Sequence, residues 1–184
     1  MKNITKRGKA MKWLGLGGVL LGLVAPFAAA GPEQDTELAE KAFGLGDLVV
    51  SGALWTKAAN EGYAPAQVRL ADVMDKAEDD VGAVEWYRKA AAQGNAGGEY
   101  GLGLMYAKGE GIKKDQAEAL SHFLRAAEKS YQPAMAVMMS AYTHGDMGVA
   151  ADKAQADAWK AKLAALPKEK KAPEGDQTKK VDAK

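Results

Sequence analysis

Few residues in this chain have types and spacing suited to chemistry. Ser140, Thr143 and His144 lie within five positions of one another, and an imidazole that close could activate a hydroxyl. The grouping lacks a third residue to orient the base. Lys76, Lys108 and His144 recur at intervals of 32 and 36 residues. Brought together they could meet an acidic side chain or a terminal carboxylate; taken singly, they complement helix C-termini and aid solubility. The run Glu78-Asp79-Asp80 lacks the spaced oxygen ligands of a cation loop and has the character of a solvated helix start. Gly109 and Gly111 do not make a phosphate loop, because neither a Lys-Ser ending nor a preceding strand accompanies them. There is no Gly-x-Ser-x-Gly elbow and no supported pair of catalytic carboxylates. No catalytic residue, metal site or cofactor is expected.

Composition narrows the field further. Among 184 residues there is no cysteine, which excludes disulfides, a thiolate zinc site, a cysteine nucleophile and covalent c-type haem. The two histidines, His122 and His144, could build a metal site only with carboxylate help. A hydrophobic content of 47% excludes a wholly disordered chain.

The net charge of +1 hides a segregation, since residues 1–30 hold five basic residues and no acid. After Lys12 the chain is uncharged from Trp13 to Ala30, rich in leucine and valine at its centre, and it ends Ala28-Ala29-Ala30 before Gly31. A basic start, an apolar middle and small residues before the cut form a secretory signal, with cleavage expected between Ala30 and Gly31. A retained membrane anchor is the competing reading, although the 18-residue run is short for a bilayer and diluted by four glycines. Met11 could also be the start of a shorter signal. Every version sends the remainder out of the cytoplasm, to the periplasm or beyond. Residues 167–184 hold six lysines, four acids and one valine, the composition of a disordered, mildly basic tail. Residues 31–166 then carry a net charge of −6, a poor match for nucleic acid.

The body of the chain repeats. Lys57-Ala58-Ala59-Asn60-Glu61-Gly62-Tyr63-Ala64-Pro65-Ala66 recurs at Lys89 to Gly98, 32 residues on, and at Arg125 to Ala134, a further 36 on. A degenerate last copy places Trp159 where His122 stands, and Lys162-Leu163-Ala164 where Arg125-Ala126-Ala127 stands. Such periods belong to helix-pair solenoids. The segments 47–61, 79–93, 115–130 and 152–165 each begin at an aspartate suited to capping a helix. Gly62, Gly94 and Ser130 stand where a left-handed residue would close three of them. The segments 64–75, 96–108 and 132–144 are the partner helices, and 37–43 forms a short amphipathic helix able to cover the first repeat. His122, at an aromatic position, is expected in the core, and His144 beside a glycine loop serves as a helix cap.

The stretch Gly98-Glu99-Tyr100-Gly101-Leu102-Gly103-Leu104-Met105-Tyr106, followed by Gly109-Glu110-Gly111-Ile112, Asp115, Ala119 and Arg125-Ala126-Ala127, resembles the Sel1-like repeat, a relative of the tetratricopeptide repeat. The likeness covers about residues 47–166 and is clearest over 79–112 and 115–149. It departs in the first unit, where Met74 runs through Asp75-Lys76-Ala77-Glu78 into Asp79 with no Gly-x-Gly loop. The third unit has Met138-Met139 for Leu-Gly and one extra loop residue. The resemblance implies an all-α, right-handed α-solenoid of about three helix pairs over 47–166, with 31–46 as an N-terminal extension.

A helical wheel of 64–75 puts Ala66, Leu70, Ala71 and Met74 on one side, with Val68, Asp72 and Asp75 opposite. The same register gives Tyr100, Leu104 and Ala107, then Ala136, Ser140 and Thr143, with Lys76, Lys108 and His144 as the last rung. In the tetratricopeptide relatives these positions line the concave face where ligands dock. Tyr100 and Leu104 are either an apolar anchor in that groove or packing against the next repeat. The expectation is a non-catalytic scaffold for protein partners in the cell envelope, touching membrane only through an uncut signal. A cell-wall hydrolase or wall-precursor binder using Ser140, Thr143 and His144 is the enzymatic alternative. End-to-end self-association through the degenerate last unit is a further possibility.

Overall fold

Aspartates start helices here because a helix leaves its first N–H groups without partners. In a computed structural model that describes residues 31–167, Asp47 accepts from Val50 N and Asp79 from Gly82 N; Asp115 and Asp152 each accept from two backbone N–H groups. They open α2 (Leu48–Asn60), α4 (Asp80–Ala92), α6 (Gln116–Glu128) and α8 (Lys153–Ala165). The intervening helices are α1 (Pro32–Gly44), α3 (Ala64–Lys76), α5 (Ala96–Lys108) and α7 (Gln132–His144). Gly62, Gly94 and Ser130 take the left-handed conformation expected of them, with φ of 90°, 76° and 63°. The expected signal segment and all but the first residue of the expected tail lie outside the described residues.

The helices pair as α1 with α2, α3 with α4, α5 with α6 and α7 with α8, and each pair packs on the next. The odd-numbered helix α3 also touches both α1 and α5, so the odd helices form the inner layer of a stacked α-solenoid. The helix expected over 37–43 is a full 13 residues, Pro32–Gly44, and adds a fourth pair to the about three anticipated. Proline at its first position suits a helix start, and buried Asp35 ties it to α2 through Lys57 at 2.7 Å.

Between pairs the core alternates small and large. Ala58, Ala90 and Ala126 are completely buried, and Trp55, Tyr87 and Phe123 share one register beside them. Burying an aromatic of this size stabilises by about 1.5–3 kcal/mol. Gly101 and Gly103 supply the room: a Cβ at Gly101 would collide with the Tyr87 ring, and one at Gly103 would sit 2.7 Å from that of Phe123. Interior glycines weaken a helix by about 1 kcal/mol each, which the seating of the two rings offsets.

Candidate partner-binding groove

On the inner layer an open groove of about 410 Å³ crosses successive units. Val68, Arg69 and Asp72 of α3 form one wall, Asn95 and Gly97 the floor at the start of α5, and Tyr131 before α7 the far side. Its polar groups are already oriented. Asp72 accepts from the Tyr87 hydroxyl at 2.7 Å, and Arg69 pairs with Glu40 of α1 at 2.6 Å. Burial first, and the hydrogen bond to Asp72 second, hold the Tyr87 hydroxyl well above its ordinary pKa. The Tyr131 hydroxyl is likewise raised by partial burial and then by the charge of Asp72. Both phenols are neutral at physiological pH; buried Tyr87 gives its hydroxyl to Asp72, and the groove itself offers the Tyr131 hydroxyl, an arginine and a carboxylate beside apolar Val68.

The residues singled out from sequence divide into four groups. Val68 and Asp72 line the groove. Tyr100 and Leu104 pack against the core of the third unit, Tyr100 with its ring 5.5 Å from Phe123 and 5.3 Å from Tyr131; of the two readings open for this pair, packing is the one observed.

The expected basic rung does not assemble as one site. Lys108 is engaged by Glu110 at 2.8 Å, which raises its pKa, and it offsets in part the burial that raises that of Asp75. His144 lies 4.0 Å from Asp146, and Lys76 lines a separate apolar hollow with Phe43 and Trp55.

Ser140, Thr143 and His144 stand exposed on α7. Thr143 donates to the Met139 carbonyl, and His144 Nδ1 faces both Ser140 Oγ at 3.4 Å and the Ser140 carbonyl at 3.0 Å. With the carbonyl as its nearer partner, Nδ1 is a donor and cannot also take a proton from the hydroxyl. Ala107, half-buried, packs with Leu104 against the third-unit core, and Ala136 is half-buried on α7. His122, expected in the core, is mostly buried with its side chain 12% exposed, and stacks on Tyr106 at 5.4 Å.

Four of the groove residues named above were missed: Arg69, Asn95, Gly97 and Tyr131. Arg69 is one position off the wheel face, and Tyr131 precedes its helix; the recurrence of tyrosine at 63 and 131 in matched copies was the available signal. Among the described residues there is no cluster of three potential metal ligands and no helix long and apolar enough to cross a membrane.

Stacked helix pairs with a groove along the inner layer define a repeat α-solenoid, an architecture whose stacking creates an extended inner surface. The Sel1 repeat is matched over residues 64–95 and 96–131, the α3–α4 and α5–α6 units, so the chain carries two Sel1 repeats. Solved structures resemble it, two of them as follows. A protective antigen of uropathogenic Escherichia coli with an SLR fold aligns with a TM-score of 0.68 and 32% identity, over 79% of this chain and 32% of its own. A Sel1 repeat protein from Oxalobacter formigenes aligns with a TM-score of 0.69 and 26% identity, over 75% and 60%. Among curated proteins, an uncharacterised protein of Neisseria meningitidis serogroup B is 48% identical over 48 residues, 26% of this chain and 10% of that one. A chitin synthase regulator of Malassezia restricta is 36% identical over 81 residues, 43% of this chain and 6% of that one. The chain therefore spans less than two thirds of each of these relatives.

Proposed function

We propose that this chain is an exported, non-catalytic scaffold that binds protein partners of the cell envelope through its inner groove. Sel1 repeats generally mediate protein–protein interaction, and the observation that carries the reading here is the groove crossing from α3 to Tyr131. Its groups suit an extended peptide. Arg69 and Asp72 can hydrogen-bond polypeptide carbonyl and amide groups, while Val68 and the Tyr131 ring take an apolar side chain. The signal pattern of residues 1–30 supports the envelope location. A photoreactive residue placed at Val68 in living cells should yield a discrete protein adduct that Arg69→Glu abolishes. The same probe at Glu85, exposed on α4, should not. Equal adducts from both positions would remove the groove as the binding site. Recovery of the protein in the cytoplasm with an intact N-terminus would remove the envelope.

A further inference from the structure

Loops within the helix pairs seal the junctions of this stack. Residues 109–115 join α5 to α6, and Gly111 lies directly on the Asp80–Val81 backbone at the start of α4. A Cβ there would collide, and the φ of 64° at Gly111 also suits glycine. The next residue, Ile112, packs against the cluster of Val84, Tyr87, Leu102 and Met105. In the last unit Met147, between α7 and α8, packs against the Phe123 and Met138 cluster in the same manner.

The first junction has no such plug. Its connection is only Ala77-Glu78-Asp79, and all three residues are exposed. An apolar socket of about 190 Å³ remains open there, lined by Phe43, Leu48, Gly52, Trp55, Leu70 and Val73. Leu48 stands 65% exposed where the repeat has Asp80, and Val49 is 83% exposed against 62% for its match, Val81. Gly52 takes the register of Val84, and nothing lies within 4 Å of where its Cβ would be. Ser51 and Trp55 also line the socket, and the buried Ser51 Oγ and Trp55 Nε1 find no hydrogen-bond partner among the described residues. Buried polar atoms are nearly always paired.

We propose that this socket, distinct from the inner groove, receives an extended segment of a partner protein that supplies in trans the aliphatic side chain Ile112 supplies in cis, next to basic residues. A backbone carbonyl entering with that side chain can accept from Trp55 Nε1–H and from the Ser51 hydroxyl. Charge selects the flank. Exposed Asp47, Glu78 and Asp79 neighbour the lining residues Leu48 and Lys76 in the chain, leaving a net negative rim that attracts lysine and arginine and repels an anionic lipid surface. The chain's own plug fits that description, because Ile112 is followed by Lys113 and Lys114. A second copy can offer Ile112 only by unseating it from its own junction.

The probe is a capped peptide with the sequence of residues 106–115, titrated into the protein as recovered from cells and followed by tryptophan fluorescence and methyl NMR. Saturable binding is expected, with shifts concentrated at Leu48, Val49 and Val73. Placing aspartate at the isoleucine position of the peptide should weaken it by about tenfold or more. Gly52→Val, which fills the socket with the residue found at position 84, should weaken binding as much while leaving circular dichroism unchanged. Glu78→Lys on the rim should weaken it less and reduce its salt dependence. Identical binding by the parent and Gly52→Val, or no saturable shift at millimolar peptide, would overturn the proposal. So would co-sedimentation with phosphatidylglycerol vesicles, or a concentration-dependent mass in light scattering, if Gly52→Val abolished it; those results would assign the socket to lipid or to a second copy.

Discussion

Replacing Arg125 with alanine strands a carboxylate. Glu99 is only 6% exposed, accepts from Arg125 Nε at 3.0 Å and faces His122 Nδ1 at 2.7 Å. That Nδ1 also lies 2.7 Å from Arg125 Nη2, so it donates to the carboxylate or accepts from the guanidinium, not both. The arginine is the unconditional donor of the three. Removing one partner of a fully buried ion pair costs about 3–5 kcal/mol. The Arg125 side chain is 43% exposed, and solvent screening reduces the expected loss for Arg125→Ala to about 1–3 kcal/mol. Glu99→Gln works the other way, removing the buried charge and releasing a half-exposed arginine to water, for about 0.5–1.5 kcal/mol. Other units show an alternative. Lys89 sits 3.6 Å over the Trp86 ring and Lys162 4.1 Å over that of Trp159, at the positions matching Arg125 and His122. Gln67 matches Glu99. The triple exchange Glu99→Gln, His122→Trp, Arg125→Lys should therefore return stability to within about 1 kcal/mol of the parent. Urea unfolding followed by far-ultraviolet circular dichroism measures all three variants. An Arg125→Ala loss no larger than that of Glu99→Gln would refute the stranded-charge reasoning.

Two further substitutions test packing and one tests pH. Gly101→Ala gains about 1 kcal/mol of helix propensity but drives its methyl into the Tyr87 ring, at an overpacking cost of about 1–3 kcal/mol, so its melting temperature should fall. Gly52→Ala, with open space around the new methyl, keeps the propensity gain, and its melting temperature should rise in the same calorimetric series. Burial raises the pKa of Asp75 above its ordinary value, against the partial relief that Lys108 gives. The folded state thus holds this proton more tightly than the unfolded chain. The stability Asp75 contributes is complete below the ordinary carboxylate range and is lost as pH rises through the raised value. Asp75→Asn should therefore unfold at higher urea than the parent at pH 7 and at the same urea near pH 3; a constant difference across that range would show the charge to be irrelevant.

What could be read ahead of the structure was whatever chemistry is local. Helix starts at Asp47, Asp79, Asp115 and Asp152 follow from an oxygen two or three residues from a free N–H, a relation contained in the sequence itself. The left-handed closures at Gly62, Gly94 and Ser130 are equally local. The first helix was underestimated because its inner face carries a buried aspartate, Asp35, whose partner Lys57 lies 22 positions away. A polar residue at an interior position breaks the apolar period, and only the distant lysine explains it. The groove shows the same boundary. Val68 and Asp72, which the wheel puts on one face, line the groove, but the same register at Tyr100 and Leu104 is drawn into packing. Phe123 of α6 and Tyr131 before α7 close over Tyr100, a contact that no single helix encodes.

The basic rung shows how a repeated charge pattern can be neutralised by an equally repeated neighbour. Lys108 has Glu110 two residues on at 2.8 Å, His144 has Asp146 two residues on at 4.0 Å, and Lys76 has Glu78 at the same spacing in sequence. The acid belongs to the loop that follows each inner helix, and at Lys108 and His144 it comes within 4.0 Å of the basic group. The hydrogen bond from Lys108 to Glu110 raises the lysine pKa, so its contribution persists throughout the neutral range and fades only as pH rises past the ordinary lysine value. With side chains 50% and 40% exposed, the pair is worth no more than about 1 kcal/mol to stability. Its larger effect is on recognition, because an acidic ligand must displace Glu110 to reach Lys108. Glu110→Gln should therefore leave the melting temperature nearly unchanged while creating salt-sensitive binding of an acidic peptide that the parent lacks, measured by fluorescence anisotropy. Binding of that peptide by the parent as tightly as by Glu110→Gln would mean that Lys108 is free to recognise anions and that the neutralised rung is an incorrect account.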